Sequence, residues 1–192
     1  MMQVDPIVLE GRFVRLEPMA EEHVSGLTAI GLDESTWKFM VYGPIRNEDD
    51  IRRWVKSVLS GPDRPFVVIH LASGRLAGAT RYMEIRPDQR GLEIGGTWYG
   101  SDFRRTSVNT ECKYLLLRHA FEKLGCIRVQ LKTDSRNERS QRAIERIGAL
   151  KEGILRNHMI LPDGYIRNSV YYSILDSEWP AVKQKLEKML GQ

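Results

Sequence analysis

A stretch in the middle of the chain leaves few choices of architecture. Leu92–Tyr99 reads as a strand and Gly100–Thr106 as a polar loop, after which Ser107–Leu124 sets Val108, Cys112, Leu115, Leu116 and Ala120 along one helical stripe. Gly125 follows as a helix stop, and Ile127, Val129 and Leu131 then alternate with Arg128, Gln130 and Lys132, a strand with one buried face. A strand, a crossover helix and a strand of these lengths form a βαβ unit, and its two strands are parallel.

The flanking segments are of another kind. Arg12–Glu17 reads as a first strand, and Glu21–Ile30 and Ser35–Met40 as short helices. Glu48–Ser60 is a better helix, with Ile51, Trp54, Val55 and Val58 at helical spacing and Gly61-Pro62 closing it. Phe66–Leu71, the turn Ser73-Gly74 and Leu76–Ile85 make a hairpin, and Pro87–Gly91 turns the chain into Leu92–Tyr99. Beyond the βαβ unit, Asn137–Ile147 reads as a helix with Asn137 as N-cap and Gly148 as its stop. Ile154–Leu161 and Tyr165–Leu175 flank Pro162-Asp163-Gly164 as a second hairpin, and Glu178–Leu190 closes the chain as an amphipathic helix. The expected fold class is α+β, three layers, with a mixed but mostly antiparallel seven-stranded sheet around a central parallel βαβ unit. Without repeats or linkers, residues 1–192 are expected to form one domain.

Composition narrows the function. With 192 residues, 42% hydrophobic and 28% charged, the chain can bury a sizeable core and is not broadly disordered. No apolar run approaches the roughly 20 residues that span a bilayer. Met1–Glu10 has neither a basic start nor a long apolar core, so a cytoplasmic protein is expected, with Cys112 and Cys126 as reduced, packed thiols. The net charge of +4 is mild and acidic residues intersperse the basic ones, which argues against a nucleic-acid partner. His23, His70, His119 and His158 lack metal-ligand spacing with each other or with the cysteines, so no metal is expected.

The loop between strand and helix carries the chemistry. A strand feeding a short polar loop and then a helix N-terminus presents free N–H groups and the positive end of a helix dipole. Arg104 and Arg105 add mobile positive charge suited to a pyrophosphate. On this ground alone, a capped helix with two solvated arginines explains the loop equally well.

Certain words in the sequence go further: Glu93-Ile94-Gly95-Gly96-Thr97-Trp98, Arg104–Glu111, Asp134-Ser135-Arg136-Asn137-Glu138-Arg139-Ser140 and Ala143-Ile144-Glu145-Arg146-Ile147-Gly148-Ala149. Leu9–Leu16 and the late Gly164-Tyr165-Ile166-Arg167-Asn168 agree with them. Together they resemble the GNAT N-acyltransferase superfamily over nearly the whole chain, and most closely its RimL/RimJ-type branch of ribosomal-protein N-terminal acetyltransferases. The family loop reads R/Q-x-x-G-x-G/A, and its amides cradle the pyrophosphate of coenzyme A. Arg104 fits the first position, but Ser107 and Asn109 stand where the two small residues usually are. Ser107 carries a Cβ where glycine allows close approach, so a re-tuned coenzyme affinity is expected, with binding retained.

The resemblance implies acetyl-coenzyme A as co-substrate and a primary amine, a protein N-terminus or a small amine, as acceptor. Expected coenzyme contacts are Trp98, Tyr99, Arg104, Arg105, Thr106, Ser107, Val108 and Asn109, with backbone N–H groups around Thr97–Tyr99 polarising the thioester carbonyl. Asn137 matches the residue that bonds the pantetheine arm, and Ser140 the one that donates a proton to the departing thiolate. Helix capping accounts for both equally. Arg139 and Arg142 are within reach of a 3′-phosphate, although a solvated helix face is the plainer account. Glu93 is the expected base, acting through a water, with Glu84 in reserve; the alternative is a carboxylate facing solvent or paired with an arginine.

The acceptor is expected from the side lined by Leu32–Tyr42, where Trp37 stands, and by the late hairpin. Asp33, Glu34, Glu48, Asp49 and Asp50 near the expected mouth favour a cationic acceptor. A homodimer would use the C-terminal helix and the hairpin. Two rivals stand beside this reading: a non-catalytic, coenzyme-sensing relative, prompted by Ser107 and Asn109, and a basic nucleic-acid-binding module.

Overall fold

In the computed structural model, which describes residues 2–191, alternating burial starts the sheet at the N-terminus. Leu9–Glu10 (β1) turns back at Gly11 into Val14–Pro18 (β2), whose Val14 and Leu16 are fully buried. A 3-10 turn at Glu21–His23 leads into α1 (Val24–Gly31), and another at Glu34–Thr36 precedes α2 (Glu48–Leu59). Asn47 caps α2 by accepting from the Asp50 amide at 3.0 Å, and Glu48, Asp49 and Asp50 suit the positive end of the helix. The expected stripe Ile51, Trp54, Val55 and Val58 is buried. Then come β3 (Arg64–His70), β4 (Arg75–Arg86), β5 (Gly91–Tyr99) and α3 (Ser107–Arg118), which a wider π turn at His119–Lys123 extends. β6 (Arg128–Asp134), α4 (Glu138–Arg146), β7 (Leu150–Ile160), β8 (Ile166–Leu175) and α5 (Trp179–Leu190) complete the chain.

The sheet has eight strands in the order β1-β2-β3-β4-β5-β6-β8-β7, all neighbours antiparallel except the parallel pair β5 and β6. The expected α+β class and the βαβ unit hold. The strand beyond the expected seven is β1, whose two residues are too short for any alternation to show. The helix expected at Ser35–Met40 shrinks to the 3-10 turn, because the Asp33 carboxylate takes the Ser35 amide and fixes a turn there. Ile127 is exposed and lies ahead of β6, its amide donating to Arg90 O; Cys126 also precedes the strand, and both cysteines are free and buried.

Helices cover both faces of the sheet, and each face has its own core. One joins Phe66, Tyr82, Leu92, Ile94, Val129, Leu131 and Tyr172 to Leu115 and Leu116 of α3 and to Trp179 and Leu186 of α5. The other joins Val67, Ala79 and Trp98 to α1 and α2 through Trp37 and Trp54. α3 is anchored by a charge: the fully buried Glu111 carboxylate accepts the amides of Arg12, Phe13 and Val14 at 2.8, 2.6 and 2.7 Å. Hydrogen bonds to a charged group are worth about 1.5–3 kcal/mol each, so this contact fixes where α3 lies over β2. Among the described residues, no helix is long and apolar enough to cross a membrane.

Candidate active site

The two parallel strands part halfway along. β5 pairs with β6 only through Gly91↔Arg128, Leu92↔Val129 and Glu93↔Gln130, while β6 stays paired with β8 to Asp134 and β5 with β4 to Tyr99. Beyond Glu93 the facing edges of β5 and β6 therefore diverge into a wedge. A bulge bends β5 away: Gly96 and Thr97 lie opposite the single residue Thr80. Gly96 takes φ +58, and a Cβ there would come within 2.7 Å of Arg81 Nε, so the position needs glycine.

At the open end of the wedge lies the loop. Ser101–Phe103 makes a 3-10 turn with Phe103 buried, and Arg105 takes the left-handed φ of +62. Thr106 caps α3, accepting from the Val108 amide at 3.3 Å and donating to Phe103 O at 2.8 Å. The amides of Arg105, Thr106, Ser107 and Asn109 donate to no group among the described residues. Free amides at a helix N-terminus are what an anionic group such as a pyrophosphate requires. The strained residue is Arg105, not Ser107, which sits in the first turn of α3 where a Cβ costs nothing.

Arg104 does not supply mobile charge. Its guanidinium donates to Tyr99 O (3.0 Å), Asp33 Oδ2 (2.9 Å) and Thr36 Oγ1 (2.6 Å), tying the loop to the segment after α1. The side chains of Trp98 and Tyr99 also turn from the wedge. Trp98 packs between Trp37 and Trp54, at ring-centroid distances of 5.2 and 5.8 Å, while the Tyr99 ring lies on the α3 side, its hydroxyl beside Cys112 and its ionisation pushed up by burial. Only their backbone remains for a ligand. Trp37 is likewise core, its Nε1 donating to Gly31 O at 2.7 Å.

Glu93 stands where the pairing ends. Only 1% exposed, its carboxylate accepts from Gln130 Nε2 and Lys132 Nζ, both at 3.0 Å. It does not face bulk solvent, and among the described residues it pairs with no arginine; its cation is a lysine from the other side of the wedge. Arg86 holds Gln130 Oε1 at 3.0 Å from behind. Glu84 occupies a second bulge with φ +47.

From the other strand, Asn137 caps α4, its Oδ1 accepting from the Ser140 amide at 3.1 Å, while Ser140 Oγ makes no hydrogen bond among the described residues. Arg142 pairs with Glu138 on the exposed face of α4 at 3.0 Å, the solvated account. The acidic residues by the mouth are mostly engaged: Asp33 with Arg104, Glu48 with Arg52, and Asp50 with Arg53. Their pull on a cation is correspondingly reduced.

Lys113 escaped the sequence reading. Only 6% exposed, it carries its Nζ from α3 to Thr97 Oγ1 at 2.6 Å, and Thr97 in turn shares a hydrogen bond of 2.8 Å with Thr80. Burial lowers its pKa from 10.5 to about 8. The signal lay in the sequence, a lysine between Cys112 and Tyr114-Leu115-Leu116-Leu117, but a single cation beside a helical stripe reads as an exposed flank. Arg167, which the sequence shows only as part of the late hairpin words, is buried between Ser169 Oγ (3.0 Å) and Phe39 O (3.1 Å).

A family model described as an acetyltransferase (GNAT) domain matches residues 14–150. The chain is 34% identical over 113 residues to "Putative ribosomal N-acetyltransferase YdaF" of Bacillus subtilis (strain 168), a stretch covering 59% of this chain and 61% of that one, so under two thirds of that relative is spanned. It is 24% identical over 170 residues to the ribosomal-protein-serine acetyltransferase of Escherichia coli (strain K12), covering 86% of this chain and 94% of that one. A solved structure of a GCN5-related N-acetyltransferase from Brucella melitensis superposes with a TM-score of 0.92 at 33% identity, over 97% of this chain and 86% of the other.

Proposed function

This chain belongs to the GNAT acetyltransferase family, and on that premise we propose that it moves the acetyl group of acetyl-coenzyme A directly to a primary amine, both substrates being bound together. The observation that carries the proposal is the alignment of two unpaired surfaces: the free amides of Arg105, Thr106, Ser107 and Asn109 and, running away from them, the bare edge of β5 below the bulge. The first suits a pyrophosphate and the second an extended pantetheine arm, which adds to a strand edge through backbone hydrogen bonds. Coenzyme A supplies the thioester; the chain's residues hold and orient it.

Arg105, Thr106, Ser107, Val108 and Asn109 hold the pyrophosphate by backbone, and Thr97–Tyr99 present amides to the thioester carbonyl, where charge develops as the amine attacks. Asn137, at the facing end of β6, bonds the pantetheine arm while still capping α4. Glu93 takes the amine's proton through a water. An amine of pKa near 8 to 10.4 is mostly protonated at neutral pH, so a carboxylate at the foot of the wedge has work to do. Ser140, with its hydroxyl uncommitted among the described residues, hydrogen-bonds the departing sulfur.

The acceptor we favour is a protein N-terminus, after the ribosomal naming of both curated relatives, with small amines as the second class. Residues 1–192 act as one domain in this reading. Leu155, Ile160 and Ile166, exposed on the β7–β8 hairpin, support the expected homodimer. A thiol-release assay with acetyl-coenzyme A tests the reaction on N-terminal peptides, polyamines and other small amines. Turnover on at least one is expected. Binding of the coenzyme without release on any of them supports the sensing relative instead.

A further inference from the structure

A buried lysine with no carboxylate beside it needs a reason. Lys113 forms no ion pair among the described residues; its Nζ donates to Thr97 Oγ1, and the only ionisable neighbour that bears on it is Cys112 of its own helix. From β5 it meets the Thr97 hydroxyl, which Thr80 of β4 engages in turn, and no carboxylate pairs with it among the described residues. Its pKa near 8 reflects that desolvation, and such burial is a standing cost to the fold.

Its place explains the cost. Asn109 and Lys113 lie one turn apart on the same flank of α3, so the lysine is the next residue down from the last free loop amide. Six residues of helix beyond Ser107 amount to roughly 9 Å, which carries the side chain past the pyrophosphate site toward the reacting end of the arm. Thr97, which it bonds, is the bulge residue on the bare edge of β5.

Resting on the coenzyme reading above, we propose that Lys113 is a further catalytic residue, its ammonium held by Thr97 against the coenzyme's sulfur to stabilise and protonate the departing thiolate. When the tetrahedral adduct collapses, the C–S bond breaks and its electron pair goes to sulfur. One Nζ–H proton follows to give the free thiol, and the neutral amine left behind regains a proton from solvent. A group titrating near 8 matches a thiol near 8.5, whereas a serine hydroxyl has no proton of comparable acidity to give. Ser140 then orients the sulfur and Lys113 supplies the proton.

The test is an ultraviolet titration of the thiolate of coenzyme A bound to the wild type and to Lys113→Met, with binding followed separately by calorimetry. In the wild type the bound thiol is expected to ionise at least about one pH unit below the free coenzyme, a tenfold change in its ionisation constant. In Lys113→Met that shift disappears, wild-type preference for coenzyme A over desulfo-coenzyme A is lost, and turnover falls about 100-fold. Thr97→Val is expected to lose part of the shift. The desulfo comparison on the wild type stands even if a variant folds poorly. Tight binding with the same thiol midpoint in both proteins, or no preference for the sulfur in the wild type, overturns the proposal. Failure of the wild type to bind coenzyme A at all overturns the coenzyme reading itself and this one with it.

Discussion

Arg104 and Asp33 meet at 2.9 Å across the top of the wedge, joining the loop after β5 to the segment after α1. The same guanidinium holds Tyr99 O and Thr36 Oγ1, so it links the amide-rich loop to the wall expected to receive the amine. Arg104→Met breaks these bonds together. We expect a loss of about 1–3 kcal/mol in stability, read by chemical denaturation, and a larger rise in KM for the acceptor than in Kd for the coenzyme. An unchanged acceptor KM would show that the link only braces the fold.

Glu93 and Lys132 form a buried pair, and the two ways of breaking it differ. Lys132→Met leaves a carboxylate uncompensated, with an expected loss of about 3–5 kcal/mol, while the double variant Glu93→Gln/Lys132→Met regains much of it. Turnover separates structure from chemistry. The double variant is expected to remain about 100-fold slow, since the proposed base is gone although the fold is repaired. Recovery of activity along with stability removes Glu93 from the reaction.

Arg105 carries the loop's left-handed backbone without glycine's freedom. Arg105→Gly relieves about 1 kcal/mol of strain, so its melting temperature is expected to hold or rise. Coenzyme affinity is expected to fall several-fold, since the exposed guanidinium next to the free amides is lost. Calorimetry and thermal melting on one variant thus give opposite signs.

Acid unfolding reports on the sheet's far edge. Hydrogen bonding to Arg128, followed by Ser173, holds the Glu152 carboxyl at about 2, against an ordinary 4.5. A depressed carboxyl contributes stability in full above the unfolded value and loses it as pH falls through the folded one. The contribution therefore fades between about pH 4.5 and 2. In Arg128→Met the fall of stability with pH across that window is expected to be shallower, and because Glu152 is 41% exposed the difference is modest. Identical slopes would deny the pairing.

What could be read from the sequence followed from local periodicity. The α2 stripe, the βαβ unit, the cap at Asn137 and the amide-rich loop all announce themselves within a few residues. The faces of β5 did not, because the bulge at Gly96 and Thr97 breaks the two-residue alternation. Counting from Glu93 puts Thr97 and Tyr99 on the same face as Glu93, whereas the extra residue moves them to the α3 side with Leu92 and Ile94 and sends Trp98 to the tryptophan cluster. Arg104 read as mobile charge because its partners Asp33 and Thr36 are far away in the chain. Glu111 appeared only as part of a motif, since nothing local shows that it caps the amides of Arg12–Val14.

In the proposed function the loop at Arg105–Asn109 holds coenzyme A and the β5 edge holds its arm. Backbone amide resonances followed during titration with acetyl-coenzyme A test it most directly. Saturable shifts are expected at Arg105, Thr106, Ser107 and Asn109 and along Gly95–Tyr99, with weaker ones at Asn137 and Ser140. Shifts confined to other surfaces, or none at saturating coenzyme, would contradict it.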